Sequence, residues 1–392
     1  MKVVVINTGS SSLKFSLIES DGERLLQDGQ ADWASPPARL TVRRPGREPD
    51  VRDLPEAGHG AAVRAVLGHL AGDPDGPVAA VGHRVVHGGP HYTAGVRVTP
   101  QVKADLAALT DLAPLHVPIN LEGIAAAESA WPGVPQVAVF DTAFHATLPP
   151  AARTYALPHA WTADWGLRRY GFHGLSHAYC AGRAAEMLGR PAAGLRLVIC
   201  HLGQGCSLSA VRDGRSVDTS MGFTPLDGVV MGTRSGAVDP GLLLFVLRHK
   251  GLSAEDVDRA LNHEAGLLGV SGVSGDMRKV LEAARQGHAG ARLALDVYAH
   301  RLRQTVGAFA ATLGGLDALV FTAGVGEHSP DVRAAACLGL EFLGVELDAA
   351  ANSGCRPDAD VAVASARVRV LVIATREDLT VVRETVRVLG QG

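Results

Sequence analysis

Short apolar runs that end in glycine-rich turns alternate with amphipathic stretches along most of the chain. A short apolar run bounded by turn residues indicates a buried strand, and an amphipathic stretch indicates a helix packed on a sheet. The pattern is therefore typical of an α/β protein. The predicted strands are Val3 to Ile6, Leu13 to Ile18, Val134 to Phe140, Leu195 to Cys200, Leu316 to Phe321 and Val368 to Ile373.

Several helices are predicted from the residues that precede them. An Asp or Ser before a proline, or a Ser with an acidic residue three positions later, is typical of a helix start. The predicted helices are Gly241 to His249, a helix beginning at Ser253 with Asp256, Asp331 to Leu338, and the long helix Tyr298 to Leu313. Between Asp32 and Pro77 the sequence is rich in Pro, Gly and charge, which predicts a peripheral insertion with weak strands.

The first apolar run and its turn recur about halfway along the chain. The segment Val3 to Leu13 is similar to Leu197 to Leu208, each with a buried strand, a turn of small residues and a second strand. A second similarity joins Val139 to Ala143 with Val320 to Gly324. Two similar pairs in the same order predict a duplicated domain, although short apolar motifs also coincide by chance.

Length and charge narrow the class of protein. The chain has 392 residues, with 37 Lys and Arg against 40 Asp and Glu, a formal net charge of −3 and a pI near 6.6. This length suits about two or three domains. Because nucleic acid and anionic membranes are bound by basic surfaces, the balanced charge disfavours both as partners.

No targeting or membrane-spanning segment is predicted. After Lys2 the apolar run Val3 to Ile6 gives way to a polar turn, so it is too short for a signal-peptide core. No run approaches the ~18 apolar residues of a membrane helix. The cysteines are odd in number and form no C-x-x-C pair, which is typical of reduced thiols, so we expect a cytoplasmic protein.

The two repeated hairpins have turns suited to phosphate. Small residues let backbone N–H groups and hydroxyls approach an anion closely. In the first hairpin Ser10, Ser12 and Lys14 add hydroxyl donors and a cation, and on a strand Ser12, Lys14 and Ser16 share one face. The alternative is an ordinary polar hairpin with a solvated lysine.

Several common motifs are missing from the sequence. It has no G-x-x-x-x-G-K-[ST] loop, no G-x-S-x-G elbow and no H-E-x-x-H helix. His83, His87 and His91 are four residues apart, but Gly88-Gly89-Pro90 would break a helix, so they would not share one face as zinc ligands. His173 and His177 have the same spacing, and Gly174 together with the lack of a nearby acid or Cys disfavours a metal there too.

Two arginines and one aspartate stand out from their surroundings. Arg84 and Arg234 each lie beside apolar residues and a glycine turn. A planar guanidinium suits bidentate binding of carboxylate or phosphate, although a surface salt bridge is the usual fate of a lone arginine. Asp141 follows a buried strand, where either an active-site acid or a helix cap is expected.

Segments spread over most of the chain carry a family resemblance. They are NTGSSSLKF (Asn7 to Phe15), HRVVHGG (His83 to Gly89), APLH (Ala113 to His116), VFDTAFH (Val139 to His145), RRYGFHGLSH (Arg168 to His177), HLGQGCS (His201 to Ser207), DTSMGFTPLDG (Asp218 to Gly228), MGTRSG (Met231 to Gly236), SGVSGDMR (Ser271 to Arg278), FTAGVGEHS (Phe321 to Ser329) and TREDL (Thr375 to Leu379). In these segments the chain resembles the acetate and propionate kinases, the acetokinase family of the sugar kinase, Hsp70 and actin superfamily.

The resemblance implies a fold. It is an α/β fold of two duplicated ribonuclease-H-like (actin-like ATPase) domains with a cleft between them. The N-terminal domain would span residues 1–148, with the insertion at about 32–77, and the nucleotide-binding domain residues 149–376. Residues 377–392 would form a helix that returns to the N-terminal domain.

The resemblance also implies roles for individual residues. Mg²⁺, or Mn²⁺ in its place, would lie near Asn7 and Glu377, and the transferred phosphoryl group near Ser10, Ser12 and Lys14. Arg84 would bind the carboxylate substrate, while His173 and Arg234 would neutralise the phosphoryl group in flight. The methyl pocket would contain Val86, Leu115, Phe172 and Pro225. The ATP-binding residues would be His201, Leu202, Gly203, Gln204, Gly205, Asp276, Met277, Arg278, Gly324, Val325, Gly326, Glu327 and His328.

Asp141 has an acid/base role in the family, and here a physical objection arises. A carboxylic acid is already ionised at neutral pH, so the acceptor needs no base to activate it. We therefore favour Asp141 orienting Arg84 or a metal-bound water, with proton transfer as the second hypothesis.

The activity implied by the resemblance is reversible transfer of the ATP γ-phosphoryl group to acetate, giving acetyl phosphate and ADP, in a homodimer. A propionate kinase or another short-chain carboxylate kinase is the first alternative. More remote alternatives are an Hsp70- or actin-like ATPase and a hydrolase of acyl phosphates. The chain departs from the family pattern at Val117, Gln204, Ala237, His328 and Arg376, and Gln204, Ala237 and His328 would touch the nucleotide or phosphate surroundings.

Overall fold

The computed structural model describes residues 1–9, 12–33, 36–54, 58–71, 77–113 and 116–390. The chain folds into two compact α/β units. The first unit combines Met1–Phe144 with Arg376–Gly392, and the second is His145–Thr375.

Fourteen strands are present in the described residues. They are β1 Lys2–Thr8, β2 Ser12–Glu19, β3 Arg24–Asp32, β4 Arg39–Arg43, β5 Asp50–Asp53, β6 Ala80–Val85, β7 Val96–Arg97, β8 Gln136–Phe140, β9 Arg196–Leu202, β10 Cys206–Arg212, β11 Arg215–Thr219, β12 Ala318–Thr322, β13 Ala359–Asp360 and β14 Arg369–Val372. Every strand predicted from the apolar runs is among them, with ends that differ by at most two residues.

The α-helices are α1 His59–Ala71, α2 Pro100–Ala107, α3 Val117–Ala130, α4 Pro150–Arg153, α5 His159–Ala163, α6 Gly174–Leu188, α7 Pro240–His249, α8 Ala254–Arg259, α9 Gly266–Ser271, α10 Met277–Arg285, α11 Ala289–Leu313, α12 Ala323–His328, α13 Pro330–Cys337, α14 Ala349–Ser353 and α15 Glu377–Gly390. Among the described helices none combines the length and the apolar character needed to cross a membrane.

The two sheets share a topology of six strands. The first unit has the strand order β5-β4-β3-β2-β1-β6-β8-β7, and the second has β11-β10-β9-β12-β14-β13. In each unit three central strands are parallel, and the flanking strands are antiparallel to them. The six strands from β3 to β7 in the first order therefore match the six strands of the second. This correspondence confirms the predicted duplication, and β4 and β5 extend the first sheet beyond it.

One of the two sequence similarities matches this topology and the other does not. The hairpin β1–β2 corresponds to β9–β10, as predicted. The second similarity joined β8 with β12, but the counterpart of β8 is β14, and that of β12 is β6. Because all of these strands are short, buried and apolar, a five-residue likeness does not identify which of them correspond.

The helix starts follow the predicted capping signals. Ser253 and Asp256 form a capping box, Asp239 accepts from the Gly241 N–H, and Ser329 accepts from the Val332 N–H. The long helix α11 begins at Ala289 rather than at the predicted Tyr298, and His288 caps its first turn. The sequence analysis missed this start because the first turns have no clear apolar period.

The insertion contains more regular structure than was predicted. Its strands β4 and β5 extend the edge of the first sheet, and α1 was missed by the sequence analysis. The buried side chains of α1 lie in the same apolar core as β1 and β2, so the helix covers this sheet; they are Ala62, Val63, Val66, Leu67 and Leu70.

The last helix is held close to the first sheet by a glycine. A Cβ atom on Gly82 of β6 would lie 2.5 Å from Cγ1 of Val381 and 2.7 Å from Oγ1 of Thr385, both on α15. Only a residue without a side chain permits this approach. The contact brings the first residue of α15, Glu377, to the end of β6.

Candidate functional site

In the first unit, polar residues gather where three neighbouring parallel strands end. Ile6 pairs with His83, so Asn7 and Arg84 stand one position further along β1 and β6. Asp141 follows β8, which pairs with β6 on its other side. Because the carboxyl ends of parallel strands lie at one edge of the sheet, these three residues share that edge.

Arg84 is held by two carboxylates. Its Nε donates to both oxygens of Asp141 at 3.0 and 3.1 Å, its Nη2 donates to Oδ2 at 2.7 Å, and its Nη1 lies 3.0 Å from Oε2 of Glu377. The Arg84 side chain is 18% exposed and that of Asp141 is 2% exposed. Burial alone would lower the pKa of Arg84, but the two carboxylates outweigh it and raise the pKa above its ordinary value.

This arrangement leaves hydrogen-bonding capacity on Arg84. The Nε–H and one N–H of Nη2 bind Asp141, and Nη1 forms an ion pair with Glu377, so each terminal nitrogen keeps at least one further N–H. Two parallel N–H groups suit the two oxygens of a carboxylate. Asp141, for which the sequence analysis favoured the orienting of Arg84 or of a metal-bound water over proton transfer, is here a bidentate partner of Arg84.

The donor set near Arg84 fits magnesium. Asn7 offers an amide oxygen and Glu377 a carboxylate, and Mg²⁺ prefers hard oxygen ligands, taking one or two carboxylates together with phosphate and water. One cation and two carboxylates give Arg84, Asp141 and Glu377 a formal charge of −1. An anionic substrate would be repelled by this cluster unless a further positive charge were present.

The first hairpin has the predicted alternation of faces. Leu13, Phe15 and Leu17 are buried, whereas Lys14 is exposed and pairs in register with Asn7. Ser12 lies on the same face as Lys14, and Ser10 lies outside the described residues.

Asn120 on α3 is a residue that the sequence analysis missed. Its side chain accepts from the Val86 N–H at 3.1 Å and donates to Oγ1 of Thr8 at 3.0 Å. It therefore links the ends of β6 and β1, which carry Arg84 and Asn7. The signal in sequence is weak, since a lone Asn in an apolar helix has many uses.

The residues predicted for a methyl pocket fall into both units. Val86 follows β6 and is half-buried, and Leu115 lies outside the described residues. Phe172 is buried in the second unit. Pro225 is half-buried there, and its carbonyl accepts from Nη1 of Arg234 at 3.4 Å.

His173 lies at the centre of a histidine cluster in the second unit. It precedes α6 with φ of 56° and ψ of 25°, a left-handed conformation that a non-glycine residue seldom adopts and that often marks a functional site. Its ring stacks on that of His201 at a centroid distance of 4.2 Å. Behind it, Nε2 of His145 donates to the carbonyl of Phe172 at 3.0 Å, which holds this backbone in place.

Arg234 is close to His173 and, unlike Arg84, is not paired with a carboxylate among the described residues. A Cβ atom on Gly205 would lie 3.5 Å from Nη1 of Arg234 and 3.5 Å from Nε2 of His173, so both groups face this glycine of the HLGQG turn. Burial lowers the pKa of Arg234 from its ordinary value. Among the described residues no carboxylate pairs with it. A half-buried guanidinium without an acidic partner is suited to an anionic ligand.

A cavity of about 730 Å³ in the second unit brings together the three segments predicted to bind nucleotide. Its polar lining includes Gln204 and His328, two of the three departures expected near the nucleotide or phosphate, whereas Ala237 is not among the lining residues. Its apolar lining comes from helices α9 to α13. The predicted residues that line it are Gly203, Gln204, Asp276, Met277, Arg278, Gly324, Val325 and His328. Its volume lies in the range of ~300–1,000 Å³ that is typical of small-molecule sites.

The remaining predicted nucleotide residues flank these segments. His201 and Leu202 end β9 and are buried, and Gly205 closes the turn through the Gly203 N–H bond to its carbonyl. Glu327 accepts from the Thr375 N–H at 3.0 Å, and Gly326 is buried in α12. Asp276 caps α10 and binds Arg278, whose hydrogen bonds hold the pKa of Asp276 below its usual value.

Arg333 is a second residue that the sequence analysis missed. It is 1% exposed, and its Nη1 donates to the carbonyls of Gly326 and Glu327 at 2.8 and 2.9 Å. Its other donors bind Asn352 of α14. Arg333 thereby fixes the end of α12, which carries one wall of the cavity.

Comparison with known proteins gives one consistent result. The model of the acetokinase family matches residues 2–383. An acetate kinase from Leifsonia xyli subsp. xyli is 50% identical over 396 residues, covering 100% of this chain and 99% of that protein. An acetate kinase from Gloeobacter violaceus is 49% identical, covering 98% of each.

Two solved structures are similar over nearly the whole chain. The acetate kinase of Porphyromonas gingivalis has a TM-score of 0.90 at 41% identity and covers 99% of both chains. A propionate kinase from Francisella tularensis has a TM-score of 0.92 at 37% identity, covering 98% of this chain and 99% of the other.

Proposed function

Because the chain belongs to the acetokinase family, it is a kinase, and we propose that it reversibly transfers the γ-phosphoryl group of ATP to acetate, giving acetyl phosphate and ADP. The observation that carries the phosphoryl-transfer part is Arg234, a half-buried cation without a carboxylate partner among the described residues, beside Nε2 of His173. Phosphoryl transfer depends mainly on alignment and on stabilising charge at the equatorial oxygens, which these two groups would do.

Arg84 is the proposed receptor of the acetate carboxylate. Support comes from the N–H groups that remain on its terminal nitrogens and from its rigid fixation by Asp141. Held in this way, the guanidinium loses little conformational entropy when the substrate binds. Asp141 would then act by orienting Arg84, since both of its oxygens are engaged and an ionised acetate needs no base.

Asn7 and Glu377 are the proposed ligands of Mg²⁺, and Mn²⁺ would fit the same oxygen donors. When bound, the ion would supply positive charge beside the phosphoryl group and would offset the net negative charge of the Arg84 cluster. Ser12 and Lys14, together with Ser10, would bind the transferred phosphoryl group from the exposed face of the first hairpin.

ATP would occupy the cavity of the second unit. The glycine-rich turns suit phosphate, and the apolar lining from Leu281, Tyr298 and Val325 suits a base. Val86, Leu115, Phe172 and Pro225 are the proposed contacts of the acetate methyl group. Such a pocket should prefer acetate to propionate by about 1–3 kcal/mol, without excluding the longer acid.

A hydroxamate assay tests the proposal, since hydroxylamine traps an activated acyl group such as an acyl phosphate but does not trap a free carboxylate. With ATP and Mg²⁺ we expect trapped product with acetate, less with propionate and least with butyrate, measured as kcat/KM. A higher kcat/KM for propionate than for acetate would instead indicate a propionate kinase. ADP release at one rate with and without any carboxylate would favour an ATPase of the Hsp70 or actin type, and loss of added acetyl phosphate without ATP synthesis would favour a hydrolase.

A homodimer is proposed for the assembly, with α7 at its interface. None of the residues of this helix is buried, and its large apolar side chains Leu242, Leu244 and Phe245 are each about half exposed. Several exposed apolar side chains on one helix are typical of a protein interface, and the proposed occupant is a second copy of this chain. Sedimentation of the wild type and of the double variant Leu244→Glu/Phe245→Glu tests it: the wild type should be dimeric and the variant monomeric.

A further inference from the structure

One serine hydroxyl in the second unit lies between two histidines. Oγ of Ser207 on β10 is 2.9 Å from Nδ1 of His173 and 2.7 Å from Nε2 of His177 on α6. Ser207 and His177 are both fully buried. A hydroxyl carries a single proton, so Ser207 donates to one of these rings and accepts from the other.

The second nitrogen of His177 decides the direction. Nδ1 of His177 is buried and has no hydrogen-bond partner among the described residues. A neutral imidazole carries one N–H. If that N–H were at Nδ1, a buried donor would be unsatisfied, which native structures almost never tolerate, whereas an unsatisfied acceptor is less rare. The proton of His177 therefore belongs on Nε2, where it is donated to Ser207.

We propose that His177 and Ser207 are positioning residues that hold His173 in the tautomer protonated at Nε2. His177 Nε2–H donates to Ser207, the Ser207 hydroxyl donates to Nδ1 of His173, and the remaining proton of His173 stands on Nε2. This proposal rests on the proposed function, in which His173 acts on the phosphoryl group. Neither residue touches substrate in this account, because both act through His173.

The consequence is a neutral donor aimed in the required direction. Nε2 of His173 is the ring nitrogen that faces Gly205 and Nη1 of Arg234. In the fixed tautomer it presents an N–H to a phosphoryl oxygen at every turnover, so no reorganisation is needed when charge develops there. In the other tautomer the same edge would present a lone pair, which repels an anionic oxygen.

The surroundings keep His177 neutral. Burial, with smaller contributions from His145 and His201, holds the pKa of His177 well below its ordinary value. Burial likewise lowers the pKa of His145 to about 4. The titratable and charged groups around His173 are His177 on its own helix, His201 stacked on its ring, His145 behind Phe172 and Arg234 beside Gly205.

The direct test reads the tautomer without substrates. In protein labelled with ¹⁵N-histidine, the long-range ¹H–¹⁵N spectrum distinguishes a protonated from an unprotonated ring nitrogen, and the His173→Gln variant assigns the His173 signals by their loss. We expect Nε2 to be protonated in both His173 and His177 of the wild type. A wild-type His173 protonated at Nδ1 would overturn the proposal, whatever reaction the protein catalyses.

The second test uses three variants. Ser207→Ala removes the relay, Ser207→Thr keeps a hydroxyl, and Ser209→Ala removes another buried hydroxyl from the same face of β10. In Ser207→Ala we expect a mixture of His173 tautomers and a fall in kcat of at least about threefold. The fall should stay below the ~100-fold loss typical of removing such a donor altogether, and KM should change by less than about twofold. Ser207→Thr should recover most of kcat, and Ser209→Ala should retain the wild-type values.

The pH dependence separates positioning from structural damage. An imidazolium carries N–H on both nitrogens, so the ratio of wild-type to Ser207→Ala kcat should narrow wherever the ¹⁵N spectrum shows His173 protonated on both nitrogens. A ratio that stays constant across that protonation, or a Ser207→Ala protein whose His173 keeps the Nε2 proton, contradicts the relay. If the hydroxamate assay fails while the wild-type spectrum is as expected, the proposed function is wrong and the tautomer assignment stands.

Discussion

Arg84 and Arg234 illustrate what the surroundings of a residue add to its sequence context. Both lie beside apolar residues and a glycine turn, and the sequence suggests anion binding for each. In the structure Arg84 is fixed by Asp141 and Glu377, whereas Arg234 has no carboxylate partner among the described residues. The two carboxylate partners of Arg84 come from segments more than fifty residues away in the sequence. The local sequence therefore cannot distinguish a guanidinium oriented by carboxylates from one without a carboxylate partner.

The role of Asp141 leads to a prediction about the acceptor site. Asp141→Asn should weaken the fixation of Arg84 and raise KM for acetate about tenfold or more, because a charge-assisted bidentate pair is replaced by a single neutral acceptor. The shape of the pH–rate profile should not change, since Asp141 transfers no proton in this account. Steady-state kinetics from pH 5 to 9 measure both. Loss of the acidic limb with Mg²⁺ affinity retained would instead support an acid/base role.

The shape of the nucleotide cavity depends on Gly232, which packs against Gln204, a residue that departs from the family pattern. A Cβ atom on Gly232 would overlap the side-chain amide of Gln204 and lie 2.8 Å from the Gly275 carbonyl. Gly232→Ala should therefore raise KM for ATP about tenfold while KM for acetate stays within about twofold. The control Gly182→Ala, on α6 with nothing near its Cβ, should leave both values unchanged.

The contribution of Gln204 to this contact can be tested by combining Gln204→Asn with Gly232→Ala. Gln204→Asn shortens the side chain by one methylene and withdraws the amide from Gly232, so the double variant Gln204→Asn/Gly232→Ala should recover part of the lost ATP affinity. A double variant no better than Gly232→Ala alone would mean that the Gly275 carbonyl, not Gln204, makes the contact that matters.

Buried histidines predict how stability depends on pH. Burial lowers the pKa of His83 to about 4, although its hydrogen bond with Gln136 opposes the shift. A folded-state pKa below the unfolded value means that the unfolded chain binds more protons between these pH values. Stability is therefore greatest above about pH 6.5 and falls as the pH drops towards 4, by about 2 kcal/mol per such group between pH 7 and 5.

Urea unfolding at pH 7 and pH 5 measures this effect. His83→Gln should reduce the loss of unfolding free energy by about 2 kcal/mol relative to the wild type. The exposed His159 provides the control, since His159→Gln should leave the loss unchanged. An unchanged loss in His83→Gln would show that His83 is not held neutral in the native state.

Among the secondary-structure elements, six strands and the helices α7, α8 and α13 were predicted from local signals, whereas α2 was not, although Thr99 caps it and Pro100 begins it. Each strand is an apolar run ended by turn residues, and α7, α8 and α13 begin at capping residues that bond their own first turn. The first turns of α11 and the whole of α1 were missed, because their helical state depends on packing against the rest of their unit rather than on a strong local pattern.

The docking of α15 depends on Gly82, and this gives a prediction for the element. Gly82→Ala should force α15 away from β6, lowering the free energy of unfolding by about 1–3 kcal/mol and raising KM for acetate, because Glu377 would move with the helix. Gly68→Ala, in α1 with open space around its Cβ, should be neutral or stabilise by up to about 1 kcal/mol. Equal effects of the two substitutions would contradict the close packing.

For the whole molecule, the sequence indicated the duplication but not its full extent. The likeness of β1–β2 to β9–β10 identified corresponding hairpins, while the correspondence of the remaining strands emerges only from hydrogen-bond partners. The two units differ in their candidate functional residues. The first gathers Asn7, Arg84 and Asp141 at its strand ends, and the second has the cavity and the histidine cluster.

The near-zero net charge agrees with this division of roles. The positive charge proposed to bind phosphate and carboxylate is local, in Lys14, Arg84 and Arg234, while over the whole chain 37 Lys and Arg are balanced by 40 Asp and Glu. A small anionic substrate needs only such local charge, whereas a polyanion needs an extended basic face.

The most direct test of the central claim is the dependence of ADP formation on a carboxylate. With ATP and Mg²⁺, wild-type protein should release ADP at a rate that rises with acetate concentration and saturates. Arg84→Ala should require far more acetate for the same rate. ADP release by the wild type at an equal rate in the presence and absence of acetate would contradict the account.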